Sequence, residues 1–356
     1  MSLHSLFDPV TIGSIALRNR MVMSPMTRSR ASKNGVPSPL AIDYYRQRSH
    51  AGLIITEGTS PSPDGDGYPR VPGIYTQEQI KAWQKITAAV HENGGKIFLQ
   101  IMHVGRVAHP LNKSANAQTV APSAIKVEGE MYTDENGLQP MPTPDALTAN
   151  EILKVIEEYK QATINAFVAE FDGVEFHAAS GYLPMQFLSS NSNLRTDNYG
   201  GSVTNRIRFA VEALEAMISV KGSGVVGLRI WPGLTFNDMF DANPVETYTE
   251  LLKAIDPMKL AYVHSSRSPD PSINVFKLVR ENFQGISIVN GGFNFQTAQE
   301  ILRSNQADLV AFATSYLANP DLIERFKRNA PLNEPDKNTF YTPGEKGYTD
   351  YPLLRE

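Results

Sequence analysis

The sequence predicts an α/β protein built as a (β/α)8 barrel, the TIM barrel. Eight short apolar runs follow one another along the chain, most of them rich in Val and Ile, and amphipathic stretches lie between them. These runs are too continuous for one-sided alternation, so they indicate strands buried on both faces. In chain order they are residues 20–24, 53–56, 97–102, 173–176, 225–230, 260–263, 286–289 and 309–312.

A doubly wound open sheet is the alternative for a chain in which strands and helices alternate. The barrel is favoured because an open sheet of this kind rarely contains eight such units without a Gly-rich dinucleotide turn. Two capping boxes predict helix starts, one formed by Thr76 and Gln79 and the other by Thr148 and Glu151. The pair Asn319-Pro320 predicts a third start, with proline near the first helical position.

Two additions decorate the predicted barrel. Residues 3–19 contain short alternating runs around Gly13, which predicts an N-terminal β-hairpin that caps the lower end of the barrel. Residues 103–147 are rich in Pro, Ser, Asn and Gly and follow the third strand. A long excursion on that side is typical of a lid or a substrate wall. We therefore expect one domain over residues 1–356.

Composition excludes several classes of function. The net charge of −4 recommends neither a nucleic acid nor a membrane surface as partner, and the absence of cysteine excludes disulfides, thiolate nucleophiles and cysteine-ligated metals. We predict no metal site. No apolar run approaches the roughly 20 residues of a membrane span, and residues 1–8 lack the core of a signal peptide. The expectation is a cytoplasmic enzyme for small molecules, a monomer or weak homo-oligomer.

Polar or permissive residues follow the predicted strands, at the end where TIM barrels carry their active sites. Arg229 ends the fifth strand, and Gly291-Gly292 follows the seventh. Loops after strands seven and eight commonly bind phosphate, and a Gly-Gly turn allows backbone N–H groups to approach an anion. Taken singly, such a turn and such an arginine are also compatible with an ordinary turn and a salt bridge.

Six segments make the chain resemble the old yellow enzyme family, particularly its bacterial N-ethylmaleimide and pentaerythritol tetranitrate reductase branch. They occur in family order and span nearly the whole chain, and the fourth is the most specific. They are residues 18–28 (RNRMVMSPMTR), 100–106 (QIMHVGR), 171–183 (FDGVEFHAASGYL), 193–206 (NLRTDNYGGSVTNR), 319–322 (NPDL) and 347–352 (GYTDYP). The resemblance implies an FMN-dependent ene-reductase with non-covalent FMN and NADPH or NADH as reductant.

Matching positions imply the contacts with FMN. Pro25 and Met26 would lie against the isoalloxazine, Thr27 would bond its O4 edge, and Arg229 would sit where negative charge gathers on reduction. The other positions matched to the cofactor are Gly58, Gln100, His177, Gly291, Gly292, Phe293, Ala313 and Thr314.

The same resemblance implies the catalytic residues. His177 and Ser180 would hold the carbonyl or nitro oxygen of an activated alkene, flavin N5 would deliver hydride, and Tyr182 would protonate the α-carbon. The implied substrates are enones, maleimides and nitroalkenes, with nitro compounds and nitrate esters as further candidates. Tyr68, Phe236 and Tyr351 would wall the substrate pocket.

The chain departs from the family pattern at three places. Ser180 replaces an Asn or His, which predicts an altered hold on the substrate oxygen. Ala313-Thr314 replaces a Gly-Arg pair whose arginine clamps the FMN phosphate, which predicts easier release of FMN. Trp231 replaces a small residue, and the sequence gives no account of it.

Two other functions stay open at this point. One is another TIM-barrel enzyme acting on a phosphorylated substrate, for which only Glu57 and Glu175 are candidate bases and no lysine ends a strand. The other is a flavin-binding protein with low turnover, suggested by Ser180 and Thr314. A yellow protein that NADPH bleaches and 2-cyclohexenone recolours would separate both from an ene-reductase.

Overall fold

Fourteen strands are present in the computed structural model, which describes residues 4–354. They are β1 Val10–Ile12, β2 Ile15–Leu17, β3 Met21–Met23, β4 Leu53–Ile55, β5 Ile97–Ile101, β6 Val120–Ala121, β7 Glu130–Thr133, β8 Gly137–Pro140, β9 Asp145–Ala146, β10 Gly173–Ala178, β11 Val226–Ile230, β12 Tyr262–Ser266, β13 Ser287–Asn290 and β14 Leu309–Phe312. Eight of them form a closed barrel in the order β3-β4-β5-β10-β11-β12-β13-β14, every neighbouring pair parallel. The predicted barrel is confirmed.

Each of the eight predicted apolar runs overlaps a barrel strand. The largest differences concern β10, which continues two residues beyond its predicted end at 176, and β12, which is displaced towards His264, Ser265 and Ser266. The strands extend into polar residues because the backbone groups there still pair with neighbouring strands, for example His177 with Arg229 and Ser266 with Asn290. Polarity at the end of a run therefore does not mark the end of the strand.

Ten helices surround the barrel within the described residues. They are α1 Leu40–Arg46, α2 Gln77–His91, α3 Ala149–Val168, α4 Leu183–Leu188, α5 Val203–Lys221, α6 Pro244–Ile255, α7 Val275–Asn282, α8 Phe295–Arg303, α9 Thr314–Ala318 and α10 Leu322–Lys327. Both predicted capping boxes are formed, at the starts of α2 and α3. No helix of residues 4–354 is both long and apolar enough to span a membrane.

The helix start predicted at Asn319-Pro320 is wrong. Asn319 instead ends α9, because its backbone N–H and its side-chain Nδ2 both donate to the carbonyl oxygen of Ser315. The next helix, α10, begins at Leu322 after Asp321. Proline after a helix end is as common as proline at a helix start, so the pair alone fixes neither.

The predicted hairpin is confirmed, although the first residue of the range 3–19 lies outside the described residues. Strands β1 and β2 pair antiparallel around Gly13, whose φ is +52°. Ile12 and Leu17 join an apolar cluster with the inward side chains of the barrel, among them Val22, Leu53, Phe98, Ile288 and Leu309. The hairpin closes the lower end, so the other end, called the upper face here, is where the strands terminate.

The excursion after β5 forms two small sheets beside the upper face. Strands β6 and β9 pair in parallel, and β7 and β8 form an antiparallel hairpin. Met131 and Met141 from this segment pack in one apolar cluster with Tyr182. The excursion is thus a wall beside the strand ends, as the sequence predicts.

Candidate active site

Alternate residues of the barrel strands point inward, and those nearest the upper face are polar. Phe98 and Tyr262 belong to the interior apolar layer, and two residues further along their strands stand Gln100 and His264. A small cavity of about 100 Å³ opens above this polar layer. It brings together seven residues predicted from the sequence, with Met102 as the eighth member: Pro25, Thr27, Gln100, His177, Ser180, Tyr182 and Arg229.

A buried hydrogen-bonded network lies beneath this cavity. The Nε2 atom of Gln100 donates to Oε1 of Glu175 at 2.7 Å, and Nδ1 of His264 lies 2.9 Å from the other carboxylate oxygen. Arg229 reaches Nε2 of His264 at 2.8 Å and the hydroxyl of Ser266 at 3.2 Å. These contacts suit a neutral His264 with its proton on Nδ1, so that Nε2 accepts from the guanidinium.

The charges in this network follow from burial and proximity. Burial, followed by the nearby Arg229, lowers the pKa of His264 to about 4. Burial alone would raise the pKa of Glu175, but His264, Arg229 and Gln100 together hold it below its ordinary value. The network therefore consists of a carboxylate, a neutral imidazole and a guanidinium, which compensate each other's charge out of contact with water.

His177 is buried and neutral. Burial, assisted by the charge of Arg229, lowers its pKa to about 3. Its Nδ1 atom is buried and has no hydrogen-bond partner among the described residues. A buried ring nitrogen without a partner is costly, which indicates that a polar group belongs in this cavity.

Tyr182 stands beside His177 with its ring perpendicular, the two ring centroids 5.2 Å apart. Its hydroxyl lies 3.4 Å from that of Tyr68. Burial first, and then Tyr68, raise the pKa of Tyr182 well above its ordinary value. The phenol consequently keeps its proton at neutral pH.

Ser180 follows β10 with a φ of +61°, a region that few residues other than glycine, asparagine and aspartate favour. Its carbonyl oxygen accepts a hydrogen bond of 2.7 Å from Nδ2 of Asn237. Because asparagine tolerates this backbone conformation better than serine, the family's usual residue would fit here without strain.

A second cavity of about 860 Å³ adjoins the first and shares Thr27 and Tyr182 with it. Two of the predicted wall residues, Tyr68 and Phe236, line it. About half of its lining residues are aromatic or aliphatic, with Met131, Met141 and Leu138 supplied by the excursion and Tyr341 by the C-terminal tail.

Tyr351, the third predicted wall residue, does not line this cavity. Its hydroxyl instead accepts a hydrogen bond of 2.9 Å from the backbone N–H of Asp336. Tyr341 occupies the position expected of it. The tail carries aromatic residues at 340, 341, 348 and 351 without helical or strand periodicity, so only its path could identify the right one.

Met26 and Gly58 do not line the inner cavity. Met26 packs against the main apolar core. A Cβ atom at Gly58 would stand 2.4 Å from the sulfur of Met102, which does line the cavity. Glycine at this position leaves room for the side chain of Met102 beside the cavity.

Gly291, Gly292 and Phe293 lie on the rim of the upper face, beside Ala313 and Thr314. The two loops adjoin because Nδ2 of Asn290 donates to the carbonyl oxygen of Ala311 at 3.2 Å. Gly292, with φ of +74°, has open space where a side chain would stand. Thr314 is exposed.

A family model described as "NADH:flavin oxidoreductase / NADH oxidase family" matches residues 5–333. The chain belongs to this family, that of the old yellow enzymes. It is 40% identical over 359 residues to a "probable flavin mononucleotide-dependent alkene reductase" of Leishmania infantum, the alignment covering 99% of this chain and 98% of that one.

Two solved old yellow enzyme relatives have the same fold. Morphinone reductase in complex with tetrahydroNAD superposes with a TM-score of 0.95 at 44% identity, covering 99% of this chain and 98% of that chain. The old yellow enzyme homologue from Zymomonas mobilis gives a TM-score of 0.95 at 37% identity, covering 99% and 100%. The protein is therefore an FMN-dependent alkene reductase that uses a nicotinamide nucleotide as reductant.

The residues of the upper face fit FMN. The inner cavity offers a fixed cation in Arg229, an amide in Gln100 and a buried ring nitrogen in need of a partner on His177. The rim offers exposed backbone at Gly292. An enzyme acting on a phosphorylated substrate would need Glu57 or Glu175 as its base. Both carboxylates are already hydrogen-bonded within the protein, Glu175 to Gln100 and His264 and Glu57 to the backbone N–H of Arg28, which argues against this alternative.

Sequence reasoning did not assign Glu175 and His264 to the flavin site, naming Glu175 only as a candidate base for the alternative enzyme, and it did not single out Arg267 on the rim. A signal existed for the first two, since both are charged or polar residues at inward positions of otherwise apolar strands. Arg267 lies in a Ser- and Pro-rich loop and has no comparable local signal.

Proposed function

We propose that this old yellow enzyme reduces the C=C bond of enones, maleimides or nitroalkenes, with His177 and Ser180 holding the activating oxygen and Tyr182 as the proton donor. The observation that carries the proposal is the pairing of His177 and Tyr182 in one polar cavity, their rings 5.2 Å apart, where it meets the larger apolar cavity. FMN, once reduced by NADPH or NADH, supplies the hydride.

His177 binds the oxygen as a neutral donor. Its pKa of about 3 leaves the ring uncharged over the physiological range, so a single N–H polarises the substrate. Ser180 adds a hydroxyl on the same side of the cavity. Because the serine side chain is shorter than that of asparagine, Ser180 forms a weaker hydrogen bond to the substrate oxygen than the asparagine of the family pattern would.

Tyr182 provides the proton for the α-carbon. Its raised pKa keeps the phenol protonated until a strongly basic carbon is present. The outer cavity accommodates the remainder of the substrate. Its volume of about 860 Å³ accommodates bulky substituents, and its lining offers both apolar residues and the charged side chains of Arg70, Glu130, Asp134 and Lys337.

A half-reaction experiment tests these roles. Reduction of the bound flavin by NADPH and its reoxidation by 2-cyclohexenone, N-ethylmaleimide or a nitroalkene are followed separately at the flavin absorbance. Tyr182→Phe should slow enone-driven reoxidation by roughly 10²–10⁴-fold while NADPH-driven bleaching is unchanged. Tyr248→Phe, which removes a buried hydroxyl without a partner among the described residues, is the matched control.

Reoxidation of Tyr182→Phe at the wild-type rate for all three substrate classes would overturn the assignment of Tyr182. If none of the three substrates reoxidises the reduced flavin of the wild-type enzyme, the proposed substrate class is overturned.

A further inference from the structure

Arg267 rises from the rim of the upper face next to the two glycines that follow β13. Its backbone N–H donates to the carbonyl oxygen of Asn290 at 2.9 Å, and its Nε donates to that of Gly291 at 3.2 Å. The approach is close, since a Cβ atom at Gly291 would lie 2.6 Å from Cβ of Arg267. The base of this side chain is therefore fixed against the glycine turn.

The guanidinium group of Arg267 has no carboxylate partner among the described residues. It lies instead over the rings of Phe276 and Phe293, 5.2 and 5.3 Å from their centroids. Stacking of this kind holds the planar group in place and, with Nε engaged by Gly291, leaves the N–H donors of the two Nη atoms for an anion. Arg229, in contrast, is buried and hydrogen-bonded within the barrel.

Trp231 contacts the backbone of the same residue. Its indole N–H donates to the carbonyl oxygen of Arg267 at 2.8 Å. This contact gives a structural reason for the tryptophan that the sequence left without an account, because it fixes the backbone from which Arg267 projects.

The loop after β14, where the family pattern has an arginine, carries no charged residue at positions 313–316. Three adjacent segments form this part of the rim, residues 267–270, 290–294 and 313–316, and Arg267 is their cationic residue. Where the family pattern has an arginine, this chain has Thr314, whose hydroxyl is a neutral donor. A phosphate held only by backbone N–H groups and a hydroxyl would have no counter-charge.

We propose that Arg267 supplies the cation that binds the FMN phosphate, in place of the arginine that the family pattern has at position 314. The long side chain reaches across the glycine turn from the loop after β12, and its fork of N–H donors binds phosphate oxygens. The proposal depends on FMN as cofactor and not on the roles of His177 and Tyr182, so either can fail without the other.

Flavin binding to the apoprotein tests the proposal without any measurement of turnover. The apoprotein is titrated with FMN and separately with riboflavin, which lacks the phosphate, and binding is followed by quenching of flavin fluorescence. Arg267→Gln should weaken FMN binding roughly ten- to a hundredfold and riboflavin binding less than twofold, since a charge-assisted hydrogen bond is lost only with FMN. The dependence of FMN affinity on salt should also decrease.

Two further variants make the result specific. Arg303→Ala, an exposed arginine in the last turn of α8, should change neither affinity. Adding Thr314→Arg to Arg267→Gln should restore FMN binding. Equal weakening of FMN and riboflavin by Arg267→Gln would mean a structural role, and unchanged FMN binding would mean none, so either result would overturn the proposal.

Discussion

The two ends of the cofactor region are built on different principles. At the inner end, Gln100, Glu175, Arg229 and His264 are buried, and each polar group is satisfied by another. At the rim, Arg267 is exposed, and its side chain is held by stacking and one hydrogen bond to a backbone carbonyl oxygen. Burial makes each residue of the inner end dependent on the others, whereas the rim can take its cation from any loop within reach.

The chain keeps the Gln100 and Arg229 of the family pattern in the buried network but departs from that pattern at the rim, at Ala313-Thr314. The difference between the two ends explains this contrast. Replacing one member of the buried network would leave a desolvated charge without a partner. Taking the phosphate ligand from the loop after β12 in place of the loop after β14 leaves no buried charge without a partner, because Arg267 and Thr314 are both exposed.

The largest expected effect is on stability. Glu175→Leu leaves Arg229 and His264 buried without their carboxylate, which should lower the free energy of unfolding by about 3–5 kcal/mol. Arg267→Gln, at the rim, should change it by less than about 0.5 kcal/mol. Urea unfolding of both variants measures the contrast, and similar losses in the two would break it.

The second largest effect is expected from acid, which should lower the free energy of unfolding of the protein. Burial lowers the pKa of His103, His177 and His264 to about 3, about 3 and about 4, so the unfolded chain binds more protons than the folded one as the pH falls below about 6.5. Glu57 and Asp66 oppose this, because burial raises their pKa to about 7 and about 6 and the folded chain keeps their protons.

The three histidines outweigh the two carboxyl groups over this range. We expect a net loss of about 1–2 kcal/mol between pH 6.5 and pH 5, measured by urea unfolding at each pH. His177→Gln removes one of the titrating groups and should flatten the slope. A stability that rises as the pH falls would contradict the assignment of neutral buried histidines.

A charge-only change at the inner end should alter the flavin potential. Glu175→Gln keeps the shape of the side chain but removes the negative charge that compensates Arg229. The midpoint potential of bound FMN should become more positive, by about 30 mV for each 1.4 kcal/mol of charge interaction removed. Spectroelectrochemical titration measures it, and Arg267→Gln should shift it less. A potential that moved downward would indicate displacement of Gln100 or Arg229 instead.

The smallest effect is expected at Ser180. Ser180→Asn introduces a longer donor into the inner cavity, and asparagine tolerates the φ of +61° at this position. One improved hydrogen bond of about 1 kcal/mol should lower the KM for 2-cyclohexenone roughly fivefold. Ser219→Asn, on the exposed face of α5, is the control. Unchanged KM and kcat would remove Ser180 from the substrate-binding residues.

The barrel could be predicted because its strands are buried on both faces and therefore leave continuous apolar runs. Strand ends such as those of β10 and β12 were displaced, since the polar residues that close them belong to the site and not to a loop. The resemblance supplied His177 and Tyr182. It failed for Tyr351 against Tyr341 because the tail has no periodic pattern, and it could not identify Arg267, which matches no family position.

The hairpin of β1 and β2 covers the lower end of the barrel, so that the strand ends at the upper face are its open end. Gly13 lies so close to Gly224 that a Cβ atom would stand 1.9 Å from its carbonyl oxygen, so the hairpin packs directly against the start of β11. With apolar side chains filling the interior above the hairpin, the upper face is the end left for ligands, where reductant and alkene would bind in turn. Deleting the hairpin would expose Val22, Phe98 and Ile288, and we expect the truncated protein to aggregate and not to gain a second entrance.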